Sequence, residues 1–179
     1  MNYCSNCGNS VELKIPDGDN VARFVCPKCG QIHYQNPRMV VGCIPVWQDK
    51  ILLCKRAIEP KYGKWTIPAG FLENNETVEQ GAIRETMEES GADVTIVRLH
   101  ALYSLPQVNQ VYAIFLAHMK TADFDAGDET LECRFYETHE IPWDKLAFTA
   151  VHFSLEKYIE NLKTNDTQTY LGKLIRKYE

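Results

Sequence analysis

The stretch from Gly70 to Ala92, GFLENNETVEQGAIRETMEESGA, constrains this chain more than any other. Thr77-Val78-Glu79-Gln80 fits a capping box, in which the Thr77 hydroxyl and the Gln80 side chain satisfy N–H groups left over at a helix start. Gly91 follows the last periodic residue and suits the stop, because a residue tolerant of positive φ closes a helix at little cost. The spacing therefore predicts one short helix. On it Glu85, Glu88 and Glu89 stand at i, i+3 and i+4, within an arc of about 100°. Ala82, Ile83, Thr86, Met87 and Ser90 group on the other side and are expected to lie against a sheet. Three like charges on one arc repel, and two of them occupy the last turn, where the helix dipole disfavours acid. A bound cation relieves both penalties, so the arrangement asks for a metal.

The wider spacing is more specific than a charge run. Five residues separate Gly70 from Glu76 and seven separate Glu76 from Arg84-Glu85; Glu88-Glu89 and Gly91 follow. The segment resembles the Nudix box, Gly-x5-Glu-x7-Arg-Glu-U-x-Glu-Glu-x-Gly-U with U apolar, at every charged and glycine position. Thr86 stands where a bulky aliphatic is usual, and Ala92 is a small occupant of the last position. The resemblance implies a hydrolase that cleaves a nucleoside diphosphate linked to some other group X. It implies that Glu85, Glu88 and Glu89 bind Mg²⁺ or Mn²⁺ with help from the Gly70 carbonyl, that Arg84 orients the glutamates, and that Glu76 braces the loop against Arg84. Hard oxygen ligands suit those ions, which neutralise a pyrophosphate and acidify a bound water. The general base is either Glu85 or a later acid, Glu129 or Glu132, in Gly127-Asp-Glu-Thr-Leu-Glu132.

The start of the chain carries a second signal. Cys4-Ser-Asn-Cys7 and Cys26-Pro-Lys-Cys29 are separated by eighteen residues, a spacing suited to a four-cysteine zinc site. Gly8 and Gly30 follow the two pairs, where backbone amides must turn towards sulfur. Two disulfides or a redox pair would be the alternative. Three further cysteines (Cys43, Cys54, Cys133) in apolar contexts, expected to be buried small side chains, point to a reducing, cytoplasmic setting. Four thiolates leave no open coordination position, so the Zn²⁺ is expected to be structural. About 36 residues bury too little core to fold unaided, and the metal makes up the deficit. Over residues 1–36, Lys14, Arg23 and Lys28 balance Glu12, Asp17 and Asp19, and the whole chain carries −5. Without a basic surface, binding to a nucleic-acid backbone is not expected.

The remainder reads as one domain. Of 179 residues 45% are apolar, enough for one core and a small appendage. No apolar run is long enough to span a membrane, and with Met1 so close to the first knuckle no targeting peptide is expected. A boundary is placed at His33–Pro37, giving a zinc ribbon over 1–36 and a hydrolase domain over 37–179. Met39 to Trp47 and Ile51 to Cys54 read as a hairpin; Val94 to Tyr103, Gln110 to His118 and Leu131 to Glu137 read as further strands. Thr149 to Lys163 has helical periodicity. Strands around one acidic helix, closed by a second, give a mixed α/β (α+β) sandwich, as the Nudix resemblance also implies across about 37–165.

Substrate choice is less constrained. A zinc ribbon ahead of a Nudix box resembles the NADH pyrophosphatases, but their later motif, Ser-Gln-Pro-Trp-Pro-Phe-Pro-x-Ser, is here Tyr103-Ser-Leu-Pro-Gln-Val-Asn-Gln110, without the tryptophan and two of the prolines. Tyr34-Gln-Asn-Pro37, Trp65-Thr-Ile-Pro-Ala-Gly-Phe71 and Glu140-Ile-Pro-Trp-Asp-Lys-Leu-Ala-Phe148 resemble a group that includes plant plastid FAD and ADP-ribose pyrophosphatases. An ADP-containing substrate such as FAD or ADP-ribose is expected ahead of NADH or an NAD-capped RNA. A non-catalytic nucleotide-sensing module is the rival from another class. Tyr62, Trp65, Phe71, Tyr103 and Tyr112 are candidates to stack on the substrate, and Gln107 and Asn109 to hydrogen-bond it. The five histidines are expected at the surface or in packing. The resemblance also implies a homodimer.

Overall fold

In the computed structural model, which describes residues 1–164 and 166–174, the chain divides into two compact units, Met1–Pro37 and Arg38–Glu179. Position 165 and the last five positions of the expected 37–179 domain lie outside the described residues.

Met1–Pro37 forms a three-stranded antiparallel sheet, β1 (Glu12–Lys14), β2 (Arg23–Val25) and β3 (Ile32–His33), in that order. The knuckles flank it. Gly8 and Gly30 have φ of 73° and 75°, and their N–H groups donate to the Cys4 and Cys26 carbonyls, each at 2.9 Å. A side chain at φ in that region is strained, which is why both turns use glycine.

The larger unit is built on β4 (Arg38–Trp47), β5 (Lys50–Arg56), β6 (Trp65–Thr66), β7 (Ala69–Phe71), α1 (Val78–Ser90), β8 (Val94–Leu105), β9 (Gln110–Met119), β10 (Thr130–Tyr136), α2 (Thr149–Thr164) and β11 (Tyr170–Lys173). The main sheet runs β10-β5-β4-β9-β8-β11, with β6 on β5 and β7 on β4. β4 and β9 are parallel, as are β8 and β11; the other neighbours are antiparallel. The predicted hairpin is present but short: β4 pairs with β5 only at Val46–Ile51 and Trp47–Lys50, then turns to pair Val40–Gly42 with β7. This fork opens a gap between β5 and β7.

Both sheet faces are covered, so β4 is an almost continuous apolar run. Val40, Ile44 and Val46 pack with Ala150, Val151, Leu155 and Tyr158 of α2. Val41 and Cys43 pack with Ala82 of α1 and with Ala113, Phe115 and Ala117 of β9. Side chains alternate across a strand, and here each alternate set meets a different helix. The result is the expected mixed α/β sandwich.

α1 begins and ends as its caps dictate. Gln80 N–H donates to Thr77 Oγ1 (3.2 Å), Thr77 N–H donates to Gln80 Oε1 (2.8 Å), and Gly91, at φ 62°, donates to the Met87 carbonyl. Its orientation differs from expectation. Met87 is 44% exposed, whereas Glu89 is only 8% exposed. The helix is rolled towards Glu85 and Glu89 because β7 lies beside it, with the Ala69 N–H donating to Glu89 Oε2 (3.1 Å). Thr86 is fully buried and its hydroxyl donates to the Ala82 carbonyl (2.7 Å), so the departure from an aliphatic leaves no unsatisfied group.

Candidate active site

The β4 fork carries Gly70 under α1. A Cβ built on Gly70 would overlap the Glu85 carboxylate, so bare backbone is needed for Glu85 to reach the β7 loop. Arg84 organises the acids. Its Nε and Nη2 grip Glu76 at 3.0 and 2.8 Å, and Nη1 reaches Glu85 (2.8 Å) and Glu88 (3.0 Å). Nη2 also donates to the Phe71 carbonyl (3.1 Å). Glu76 in turn accepts the Glu73 N–H at 2.7 Å, closing the loop before the helix. The bidentate Arg84 contact holds the Glu76 carboxyl down at about 2. Glu85 and Glu89 are pushed the other way by burial, Glu89 to about 7.

Glu85, Glu88 and Glu89 line a cavity of about 730 Å³ together with Gly70, Phe71, Arg84 and Glu129. Tyr112 of β9, Gln110, Arg56 at the end of β5, and Phe148 ahead of α2 complete much of its wall. Glu85 and Glu89, partly buried and raised above the ordinary carboxylate range, are stabilised as anions by a divalent cation. Their hard oxygens and the open Gly70 backbone fit Mg²⁺ or Mn²⁺.

In the smaller unit the Sγ atoms of Cys4, Cys7, Cys26 and Cys29 all lie within 4.8 Å of one another, with Cys4–Cys29 at 3.7 Å and Cys7–Cys26 at 3.5 Å. A tetrahedron with Zn–S bonds near 2.3 Å has edges of about 3.8 Å. The donor set and its spacing therefore fit Zn²⁺ with no open position. His33 Nε2 stands 3.3 Å from Cys4 Sγ, an outer partner that the sequence did not mark.

Comparison with known proteins decides the family. The NUDIX domain profile matches residues 36–159, and the Nudix N-terminal zinc-ribbon profile matches residues 2–35. The chain belongs to the NUDIX family. Membership places this Nudix chain among the pyrophosphohydrolases. It is 34% identical over 119 residues to an ADP-ribose pyrophosphatase of Methanocaldococcus jannaschii, covering 64% of this chain and 69% of that one. It is 33% identical over 146 residues to the NAD-capped RNA hydrolase NudC of Vibrio atlanticus, covering 80% of this chain and 49% of that one. The chain thus spans about half the length of its NudC relatives. Among solved structures, a NUDIX hydrolase from Nitrosomonas europaea superposes with a TM-score of 0.93 at 52% identity, over 97% of this chain and 99% of the other.

Several residues picked from the Nudix sequence are placed apart from the cavity. Glu132 sits on β10 with its carboxylate 3.6 Å from Lys55 Nζ, outside the cavity that Glu129 lines. Trp65 is buried with its ring edge-on to Tyr136 (5.2 Å); its neighbour Thr66 reaches the wall instead. Tyr62 is exposed on a loop whose Ile58, Glu59 and Pro60 do line the cavity. Gln107 and Asn109 lie at the β8–β9 turn, with Asn109 accepting the Arg38 N–H through its carbonyl; the next residue, Gln110, reaches the site. Tyr103 lines a separate opening of about 450 Å³ with Trp143 and Phe153. Cys54 and Cys133 are cross-strand neighbours with Sγ atoms 3.7 Å apart, and Cys133 is only half-buried. Sequence reasoning passed over Arg56 and marked Phe148 only as the end of the Glu140–Phe148 motif, not as a wall residue; a charged residue ending an otherwise buried strand was the available signal for Arg56.

Proposed function

We propose that this Nudix domain hydrolyses the diphosphate of an ADP-containing substrate with Mg²⁺ or Mn²⁺, with ADP-ribose preferred and FAD the next candidate. The observation that carries this is the cavity itself, in which Glu85, Glu88 and Glu89 share a wall with Gly70 while Arg56, Tyr112 and Phe148 furnish a cation and aromatic faces. Similarity to an ADP-ribose pyrophosphatase supports the order of substrates.

In this scheme Glu85, Glu88, Glu89 and the Gly70 carbonyl hold the divalent ion. When bound, that ion neutralises phosphoryl oxygens and lowers the pKa of a water. Arg84 fixes the directions of Glu85 and Glu88, and Glu76 fixes Arg84. Glu85 or Glu129 accepts the proton of the attacking water on a carboxylate oxygen; the pairing of Glu132 with Lys55, outside the cavity lining, supports those two ahead of it. Phe71 stacks against the substrate, its ring already steadied by Arg38 at 4.7 Å. The thiolates of Cys4, Cys7, Cys26 and Cys29 hold a structural Zn²⁺. A homodimer and a cytoplasmic location complete the proposal; four cysteines gathered as thiolate ligands and not paired as disulfides support a reducing compartment. Among the described residues no helix is long and apolar enough to cross a membrane.

A panel of ADP-ribose, FAD, NADH, NAD⁺ and NAD-capped RNA with Mg²⁺ or Mn²⁺ tests the proposal. AMP should appear fastest from ADP-ribose. Preference for NADH or capped RNA would favour the NudC-like alternative, and binding without any product would favour a nucleotide sensor.

A further inference from the structure

Arg56 ends β5 and lines the cavity beside Glu129, yet no motif of the sequence includes it. Its placement is rigid. The Arg56 N–H donates to the Lys64 carbonyl and its carbonyl accepts the Gly63 N–H, each at 2.9 Å, while the adjacent Ala57 N–H donates to the Glu129 carbonyl at 2.8 Å. The residue is 9% exposed, and its guanidinium lies over the Phe148 ring at 5.1 Å. Nε donates to the Pro60 carbonyl at 2.9 Å. Among the described residues no carboxylate forms an ion pair with Arg56, and neither Nη nitrogen has a protein acceptor. The Arg56 charge acts on Glu89 across the cavity without a contact close enough for an ion pair, so the fork faces the acidic wall with its Nη groups free for a ligand. Arg84, which lines the same cavity, shows the usual outcome: three glutamates occupy its guanidinium. Arg56 is held against an aromatic face with its fork unfilled, which is the geometry for gripping two oxygens of one anionic group.

We propose that Arg56 is a substrate-binding, specificity-determining residue whose two Nη groups take the non-bridging oxygens of a phosphoryl group, with Phe148 holding the guanidinium plane. The assignment rests on the ADP-containing diphosphate proposed above as substrate, but its binding readout does not need turnover. The ligand chemistry is a nucleoside diphosphate whose phosphates bridge the β5 wall and the carboxylates of α1.

The test compares the full-length zinc-bound protein with Arg56→Gln and Arg56→Lys. The probes are α,β-methylene-ADP with Mg²⁺, titrated calorimetrically, and adenosine, followed by NMR line broadening. Arg56→Gln should weaken the methylene nucleotide about 10- to 100-fold, the loss of a charge-assisted contact, and leave adenosine within about twofold. Arg56→Lys should recover part of the loss, since an ammonium keeps the charge but not the fork. If Arg56→Gln melts early, Arg56→Lys against wild type carries the comparison. Equal losses for nucleotide and nucleoside would show that Arg56 only supports the wall, and an unchanged nucleotide affinity in a folded variant would overturn the proposal outright. Should wild type bind the nucleotide yet hydrolyse nothing in the panel, the proposed activity on ADP-containing substrates fails while the Arg56 comparison still stands.

Discussion

Replacing His100 with glutamine should flatten the acid side of this protein's stability curve. His100 lies on β8 with no exposed surface, under α2 and between the edges of Tyr158 and Tyr170. Nε2 donates to the Ser154 carbonyl at 2.9 Å, while Nδ1 is buried without a partner among the described residues. A second proton on Nδ1 would therefore be a buried, unpaired charge. Burial, helped against protonation by the nearby Arg98, holds the imidazole down at about 4, against an ordinary 6.5. The unfolded chain takes the proton below pH 6.5 and the folded chain does not until about pH 4. Stability is therefore complete above 6.5, declines as pH falls to 4, and changes little below that. The full effect is about 3 kcal/mol, of which about 2.5 kcal/mol is lost by pH 4.5. Urea titrations at pH 7.5 and 4.5 measure it. All three tryptophans (Trp47, Trp65, Trp143) lie beyond residue 37, so their fluorescence follows the larger unit and is indifferent to unfolding of the zinc ribbon. The drop in wild type should exceed that in His100→Gln by about 2 to 3 kcal/mol. Parallel drops, within about 0.5 kcal/mol, would show that the buried imidazole is not what the acid attacks.

Other consequences follow from single contacts. Gly70→Ala should cost about 10²-fold or more in turnover with a small change in melting temperature, because the new methyl displaces the Glu85 carboxylate by about an ångström; retained activity would refute the tight approach. Glu132→Gln should leave turnover within about twofold, since its pairing with Lys55 is an exposed one, and a large loss would restore it as a candidate base. The purified protein should contain one zinc per chain; Cys29→Ser or a strong chelator should remove it and expose the amides of Met1–Pro37 to rapid hydrogen exchange. Full exchange protection without zinc would contradict a metal-dependent fold.

What could be read in the sequence was what is decided locally. The capping box at Thr77 and Gln80, the stop at Gly91, the paired knuckles and the long β8 and β9 strands depend on neighbours along the chain. The roll of α1 did not. Its direction is set by β7 pairing with β4 far upstream, so Met87 faces solvent and Glu89 is drawn in. Aromatic residues were mixed guides for a related reason: Phe71 and Tyr112 of the candidates do line the cavity, but Trp65 and Tyr136 complete each other's packing across the β5–β6–β10 edge, and Phe148 arrives from a distant element. β11 pairs in parallel with β8 through only four residues, too few for a periodic signal. Arg56 became notable only when its surroundings were known, because an unfilled guanidinium is a property of three-dimensional neighbours.

The most direct test of the central claim is the rate of AMP release from ADP-ribose by wild type and Glu85→Gln, each with and without Mg²⁺. Wild type should release AMP only with the divalent ion, and Glu85→Gln should be slower by about 10²–10⁴-fold, having lost a ligand and a candidate base. Turnover by Glu85→Gln within a few-fold of wild type would contradict the role assigned to the acidic face of α1.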